Sequence, residues 1–124
     1  MISSKRLSLG RWGEQVAACF LEETGYMILE ANIRTHYGEI DLLAKKDDVL
    51  IFVEVKTRRS TSLGFPEISI TPKKMMHIIA SAEAYLQAHP ELTIDWRIDV
   101  ISILRLDPEQ PPEIAHFENV NDVH

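Results

Sequence analysis

Residues 38–58, GEIDLLAKKDDVLIFVEVKTR, constrain this chain more than any other stretch. They hold two apolar, strand-like runs, residues 39–44 and 49–57, joined by Lys45, Lys46, Asp47 and Asp48. Asp47-Asp48 suits a tight connection, so the stretch reads as a hairpin. Side chains alternate across a strand. Glu39 and Asp41 are therefore expected on one face of the first strand, and Glu54, Lys56 and Arg58 on one face of the second. Ile40, Leu42, Val53 and Val55 are expected to point the other way. Charges inside apolar strands are rarely buried unless they are paired or hold a metal. A hairpin that sets Asp41 beside Glu54 converges two hard oxygen ligands, a donor set suited to Mg²⁺. Lys56 follows two residues along.

The 124 residues fit one domain, spanning 1–124, around one core. A hydrophobic content of 45% is ordinary for a globular chain. No apolar run approaches the roughly 20 residues that span a bilayer. The N-terminal MISSKRLSLGRW lacks the apolar centre of a signal peptide. A cytoplasmic protein with no membrane partner is expected. Cys19, the only cysteine, lies in an apolar helical segment and reads as a small buried hydrophobe. A net charge of −6 argues against a simple nucleic-acid binder. The deficit, however, falls in residues 75–124. Residues 1–74 are close to neutral, and setting aside Glu14, Glu39, Asp41 and Glu54 leaves them basic.

A first helix is expected at about residues 9–24, capped by Ser8 or Ser3, with Trp12, Val16, Cys19 and Phe20 at helical spacing and Gly25 as its stop. Residues 26–33 read as a strand, and Asn32, Arg34, Thr35 and His36 lead into a turn ending at Gly38. Arg34 in that turn is placed equally well against a phosphate or in solvent. After the hairpin comes an aperiodic loop with Gly64, Pro66 and Pro72. It carries Arg58, Arg59, Lys73 and Lys74, which either clamp a nucleic-acid backbone or simply face solvent in a crossover. Thr71 and Pro72 open a second helix at about residues 72–88, whose stripe of Met75, Ile78, Ile79, Ala82, Tyr85 and Leu86 reads as core. Lys73 and Lys74 oppose its dipole, which favours an anion there. Residues 94–104 form a last strand, with Asp99 given a structural role. The acidic tail, about residues 106–124, holds one short strand near residues 114–117 or none. The order α-β-β-β-α-β suits an α/β fold with a mixed sheet flanked by helices.

Asp41, followed across a short hairpin by Glu54-Val55-Lys56, resembles the PD-(D/E)XK nuclease superfamily. Ile40-Asp41 stands where Pro-Asp is usual. The longer strings GEIDLLA and FVEVKTR are similar to the YraN-like family of small bacterial endonuclease-like proteins, which are themselves similar to archaeal Holliday-junction resolvases. The likeness covers about residues 10–103. It implies a restriction-endonuclease-like core and a Mg²⁺- or Mn²⁺-dependent endonuclease that hydrolyses phosphodiester bonds in DNA, branched or junction DNA included. By that likeness Asp41, Glu54 and the Val55 carbonyl are metal ligands. Glu14, in the Gly10-x-x-Gly13-Glu14 pattern, faces the metal directly or through water, and Lys56 is catalytic. Glu14 can equally be read as an acid favourable at a helix N-terminus. A homodimer is compatible with a junction's two symmetric cleavage points, though no residue fixes its interface.

Other readings stand beside this one. The same fold can serve as a catalytically weak nucleic-acid-binding or scaffolding module in DNA processing. Lys56 can be a structural salt-bridge partner of Glu54 and Asp41. A carboxylate-pair glycosidase would need a deep groove that 124 residues hardly offer. Zinc-ligand spacing, a glycine-rich phosphate loop and a nucleophile elbow are all missing from the sequence.

Overall fold

The computed structural model describes residues 8–59 and 70–122. Ser3, Gly64 and Pro66 lie outside the described residues. Ser8 caps helix α1 (Leu9–Glu23), its Oγ accepting from the Arg11 N–H at 3.2 Å. Gly13, Ala17 and Leu21 form its buried line, flanked by the partly buried Trp12, Val16 and Phe20. Cys19 is exposed, so its expected burial is overturned. The cause is Gly13. A Cβ there would overlap the Thr57 hydroxyl, so the bare glycine lets the helix press against the sheet and turns the buried line away from Cys19. Helix α2 (Pro72–Ala88) has the expected bounds and cap, with Thr71 Oγ1 accepting from the Lys74 N–H at 3.1 Å.

Strands β1 (Met27–Thr35), β2 (Gly38–Lys46), β3 (Val49–Arg58), β4 (Asp95–Leu104) and β5 (Glu113–Phe117) form one sheet in that order. β3 and β4 are parallel, joined through α2, and the other neighbours are antiparallel. Lys46 pairs with Val49 around Asp47 and Asp48, whose φ values of 52° and 61° suit a two-residue turn. Both sheet faces are covered. Leu50 and Phe52 pack toward Ile78 and Ala82 of α2, while Ile51 and Val53 pack toward Ala17 and Leu21 of α1. Two covered faces explain why β3 reads as a continuous apolar run. The result is a mixed α/β single domain with the sheet between its helices.

The tail is tied to this sheet. β5 pairs with β4, and a short 3-10 turn (Val120–Asp122) buries Val120. Asp99, fully buried, accepts from Arg97 at 2.9 and 3.2 Å, from the Asn119 N–H at 2.9 Å and bonds His116 Nε2 at 2.7 Å. Its structural role is as expected. Among the described residues no helix is long and apolar enough to cross a membrane.

Candidate metal centre

The alternation expected for β2 breaks at Asp41. Ile40 packs on the α2 side, yet Leu42, two residues on, packs on the α1 side. The register explains this. β2 and β3 pair from Lys46 with Val49 to Leu42 with Val53. One further step would set Asp41 directly opposite Glu54, and like charges in that position repel. Instead Asp41 turns its side chain inward, and its Oδ2 accepts from the Val55 N–H at 2.8 Å. The carboxylate thus satisfies a backbone donor that the ladder leaves over. Ile40 and Leu42 therefore do not share a face, as simple alternation had it.

A second break lies across from the first. Ala31 pairs with Leu42 and Ile33 with Ile40, which brings Asn32 level with Asp41. Asn32 has a φ of 54°, a left-handed conformation that asparagine tolerates better than most residues. With its nitrogen turned toward the acids, its amide donates to Glu14 Oε1 at 3.0 Å and Glu39 Oε1 at 3.2 Å. Glu14 reaches this point from α1, one residue after the close approach of Gly13 to Thr57.

Carboxylate oxygens of Glu14, Glu39 and Asp41 all lie within 4.8 Å of one another. Burial, and then the charge of Glu54, pushes the Asp41 carboxyl up to about 7; the Val55 N–H pulls the other way. Glu14 is also raised, first by burial, against the hydrogen bond from Asn32, with Glu39 adding repulsion. Burial and mutual repulsion thus both penalise negative charge on Asp41 and Glu14, an electrostatic cost in the folded chain. A divalent cation would relieve it, and hard carboxylate oxygens are the donors that Mg²⁺ and Mn²⁺ take.

Glu54 is brought beside Asp41, and Lys74 of α2 places its Nζ 3.4 Å from Glu54 Oε2. Val55 enters through its N–H. Lys56 is half-buried, level with Ser102 of β4. The basic residues divide. Arg34, with a side chain 90% exposed, lies 3.9 Å from Glu39, at the rim of the cluster. Lys73 is exposed at the start of α2, while Arg59 lines a separate cleft with Arg105, Leu106 and Pro108. Arg58 is half-buried at the end of β3. A cleft of about 280 Å³, lined in part by Arg11, Glu14, Asn32 and Leu42, opens beside the acids. The larger cleft of about 530 Å³, between α1 and residues 111–114, is lined by no member of the cluster.

Sequence reasoning missed Asn32, which it set where the strand leads into a turn, and placed Glu39 on the Asp41 face without a ligand role; the strand in fact runs on to Thr35. The signal that finds both is the β1–β2 register, not the composition of either strand.

The model of the family described as "Uncharacterised protein family UPF0102" matches residues 13–103. That span includes Glu14, Asn32, Glu39, Asp41, Glu54 and Lys56. A UPF0102 protein of Syntrophomonas wolfei is 50% identical over 111 residues, covering 90% of this chain and 95% of the relative. One from Syntrophotalea carbinolica is 44% identical over 119 residues, covering 96% and 95%. One from Geobacter sulfurreducens is 41% identical over 111 residues, covering 90% and 86%. With most of its length matched in each comparison, the chain belongs to the UPF0102 family.

Proposed function

We propose that this protein is a divalent-metal-dependent endonuclease of the PD-(D/E)XK type, acting on phosphodiester bonds in DNA. The single observation that carries the reading is the convergence of Glu14, Glu39 and Asp41 within 4.8 Å at the point where β2 parts from β3. Glu14, Glu39, Asp41 and Glu54 would hold Mg²⁺ or Mn²⁺. The bound ion would supply a more acidic water and neutralise charge on the phosphate. The chain's own residues do the rest. The Val55 N–H fixes one Asp41 oxygen, Oδ2, beside Glu54. Lys56 follows Glu54 on β3 and stabilises negative charge developing on the phosphate. Lys73 and Arg34, both exposed, approach the backbone of a docked strand.

The net charge of −6 favours a second reading, a binding or scaffolding module with little or no catalysis. One assay separates the two: branched, single-stranded and duplex DNA and RNA incubated with the protein and Mg²⁺ or Mn²⁺. Cleavage that Asp41→Asn abolishes supports the nuclease. Binding without cleavage on every substrate supports the module.

A further inference from the structure

We propose that Asn32 is the positioning residue of the acid cluster: its side-chain amide holds Glu14 and Glu39 together before any cation arrives. The inference rests on the metal-dependent reading above. Two carboxylates on different elements, α1 and β2, repel each other and gain nothing from approaching unaided. One primary amide offers two N–H donors on a single nitrogen. Asn32 spends one on each acid, at 3.0 and 3.2 Å.

The choice of an amide has a chemical reason. A lysine or arginine here would also draw the acids together, but its charge would compete with a divalent ion for the same oxygens. The amide is neutral. It takes one lone pair from each carboxylate and leaves the cluster's negative charge to attract the cation. Partners that orient metal ligands in this way commonly govern affinity without touching the ion.

The backbone brings the amide to this place. The φ of 54° at Asn32 breaks the β1 alternation level with Asp41, where the β2 alternation also breaks. Ile33, the next residue, returns to the α2 side of the sheet. Asparagine is thus suited twice, once for the left-handed backbone and once for the amide.

Those two roles separate experimentally. Asn32→Gly keeps the backbone and loses the amide. Asn32→Ala loses the amide and adds left-handed strain. Mn²⁺ affinity by isothermal titration is expected to fall about 10–100-fold in both variants, while melting temperature falls further in the alanine variant. Wild-type Mn²⁺ affinity in Asn32→Gly overturns the proposal. A second measurement needs no metal. In the metal-free protein, the Asn32 side-chain amide resonances are expected to move on Glu14→Gln and on Glu39→Gln. Resonances indifferent to both changes overturn the clamp. If they respond and the wild type takes up no Mn²⁺, the clamp stands and the nuclease reading fails.

Discussion

The Val55 N–H donates to Asp41 Oδ2 across 2.8 Å, so an acidic side chain stands in for a strand carbonyl between β2 and β3. This one bond anchors a carboxylate where repulsion from Glu54 would otherwise drive it out, and it does so at a cost that depends on pH.

That cost is testable. Burial and Glu54 push Asp41 up to about 7, from an ordinary 3.8. Between these values the folded chain keeps a proton that the unfolded chain has released. Stability therefore falls as pH rises through the window. A shift of this size corresponds to at most about 4 kcal/mol, and sharing of the proton with Glu54 brings the expected loss to about 2 kcal/mol. Asp41→Asn keeps an acceptor for the Val55 N–H and removes the charge. In urea at pH 8 without metal, the variant is expected to be more stable than wild type by about 2 kcal/mol. The difference should shrink toward zero near pH 4. Equal stability at pH 8 would show that Asp41 carries no uncompensated charge.

Much of the fold was legible because local signals sufficed. Thr71-Pro72 opens α2, and Asp47-Asp48 fixes the hairpin, so those bounds follow from neighbouring residues alone. The site was legible as a set of residue types and not as an arrangement. Strict alternation set Asp41 and Glu54 facing each other across a regular ladder. The structure ends that ladder at Leu42 and Val53, yet the Asp41 and Glu54 side chains still meet, and Asp41 takes the Val55 N–H where the ladder stops. Asn32 escaped notice because its role depends on pairing between strands and on a backbone angle. Cys19 was misplaced because helical spacing gives a stripe's period, while Gly13 sets which side presses on the sheet.

Gly13 offers a second test. Adding a methyl group overlaps Thr57 Oγ1 and crowds its Cγ2. Gly13→Ala is expected to cost about 1–3 kcal/mol by overpacking, and to move Glu14 out of line with Glu39 and Asp41. Mn²⁺ affinity should fall with it. Thr57→Ala in the same chain removes the crowded atoms and should restore part of both losses. If the double variant is no better than the single, the close approach is not what places Glu14.

Lys73 and Lys74 are adjacent, but their surroundings differ. Both are exposed, and Lys74 lies 3.4 Å from Glu54. Neutralising either by methionine should flatten the salt dependence of DNA affinity by about one unit of log–log slope, if each meets one phosphate. Only Lys74→Met also removes a cation that would compete for Glu54, a proposed metal ligand. It should tighten Mn²⁺ binding, and Lys73→Met should leave it unchanged. Identical metal affinities in the two variants would remove any role for the Lys74–Glu54 pair.

Lys56 separates the catalytic reading from the structural one. As a catalytic charge it is not a ligand, so Lys56→Ala should retain Mn²⁺ binding and lose about 10²–10³-fold in cleavage rate. As a structural partner of Glu54 its removal should instead cost about 3–5 kcal/mol. Unfolding and cleavage measured on one preparation decide between them. A large stability loss, with no metal-dependent cleavage by the wild type, would count against the nuclease.

Asp99 sets a contrast with Asp41, as a buried carboxylate that is fully compensated. Burial raises its carboxyl, but His116, Arg97 and the Asn119 N–H together outweigh burial and hold it below the ordinary range. A lowered value stabilises the fold above the unfolded carboxylate's range, and that contribution is lost as pH falls through the folded value. Asp99 therefore works in the opposite direction to Asp41, and near neutral pH its contribution is complete. Asp99→Ala strips the partner from Arg97 and His116 and loosens the attachment of residues 113–122. Arg97 keeps Glu118 at 3.1 Å and stays partly solvated, which puts the expected loss near the lower end, about 3 kcal/mol. Mn²⁺ affinity should hardly change, because none of these groups belongs to the acid cluster. Urea unfolding at pH 7 and titration of Mn²⁺ into the same variant test both halves. A loss under about 1 kcal/mol would mean that β5 is held by its ladder with β4 alone.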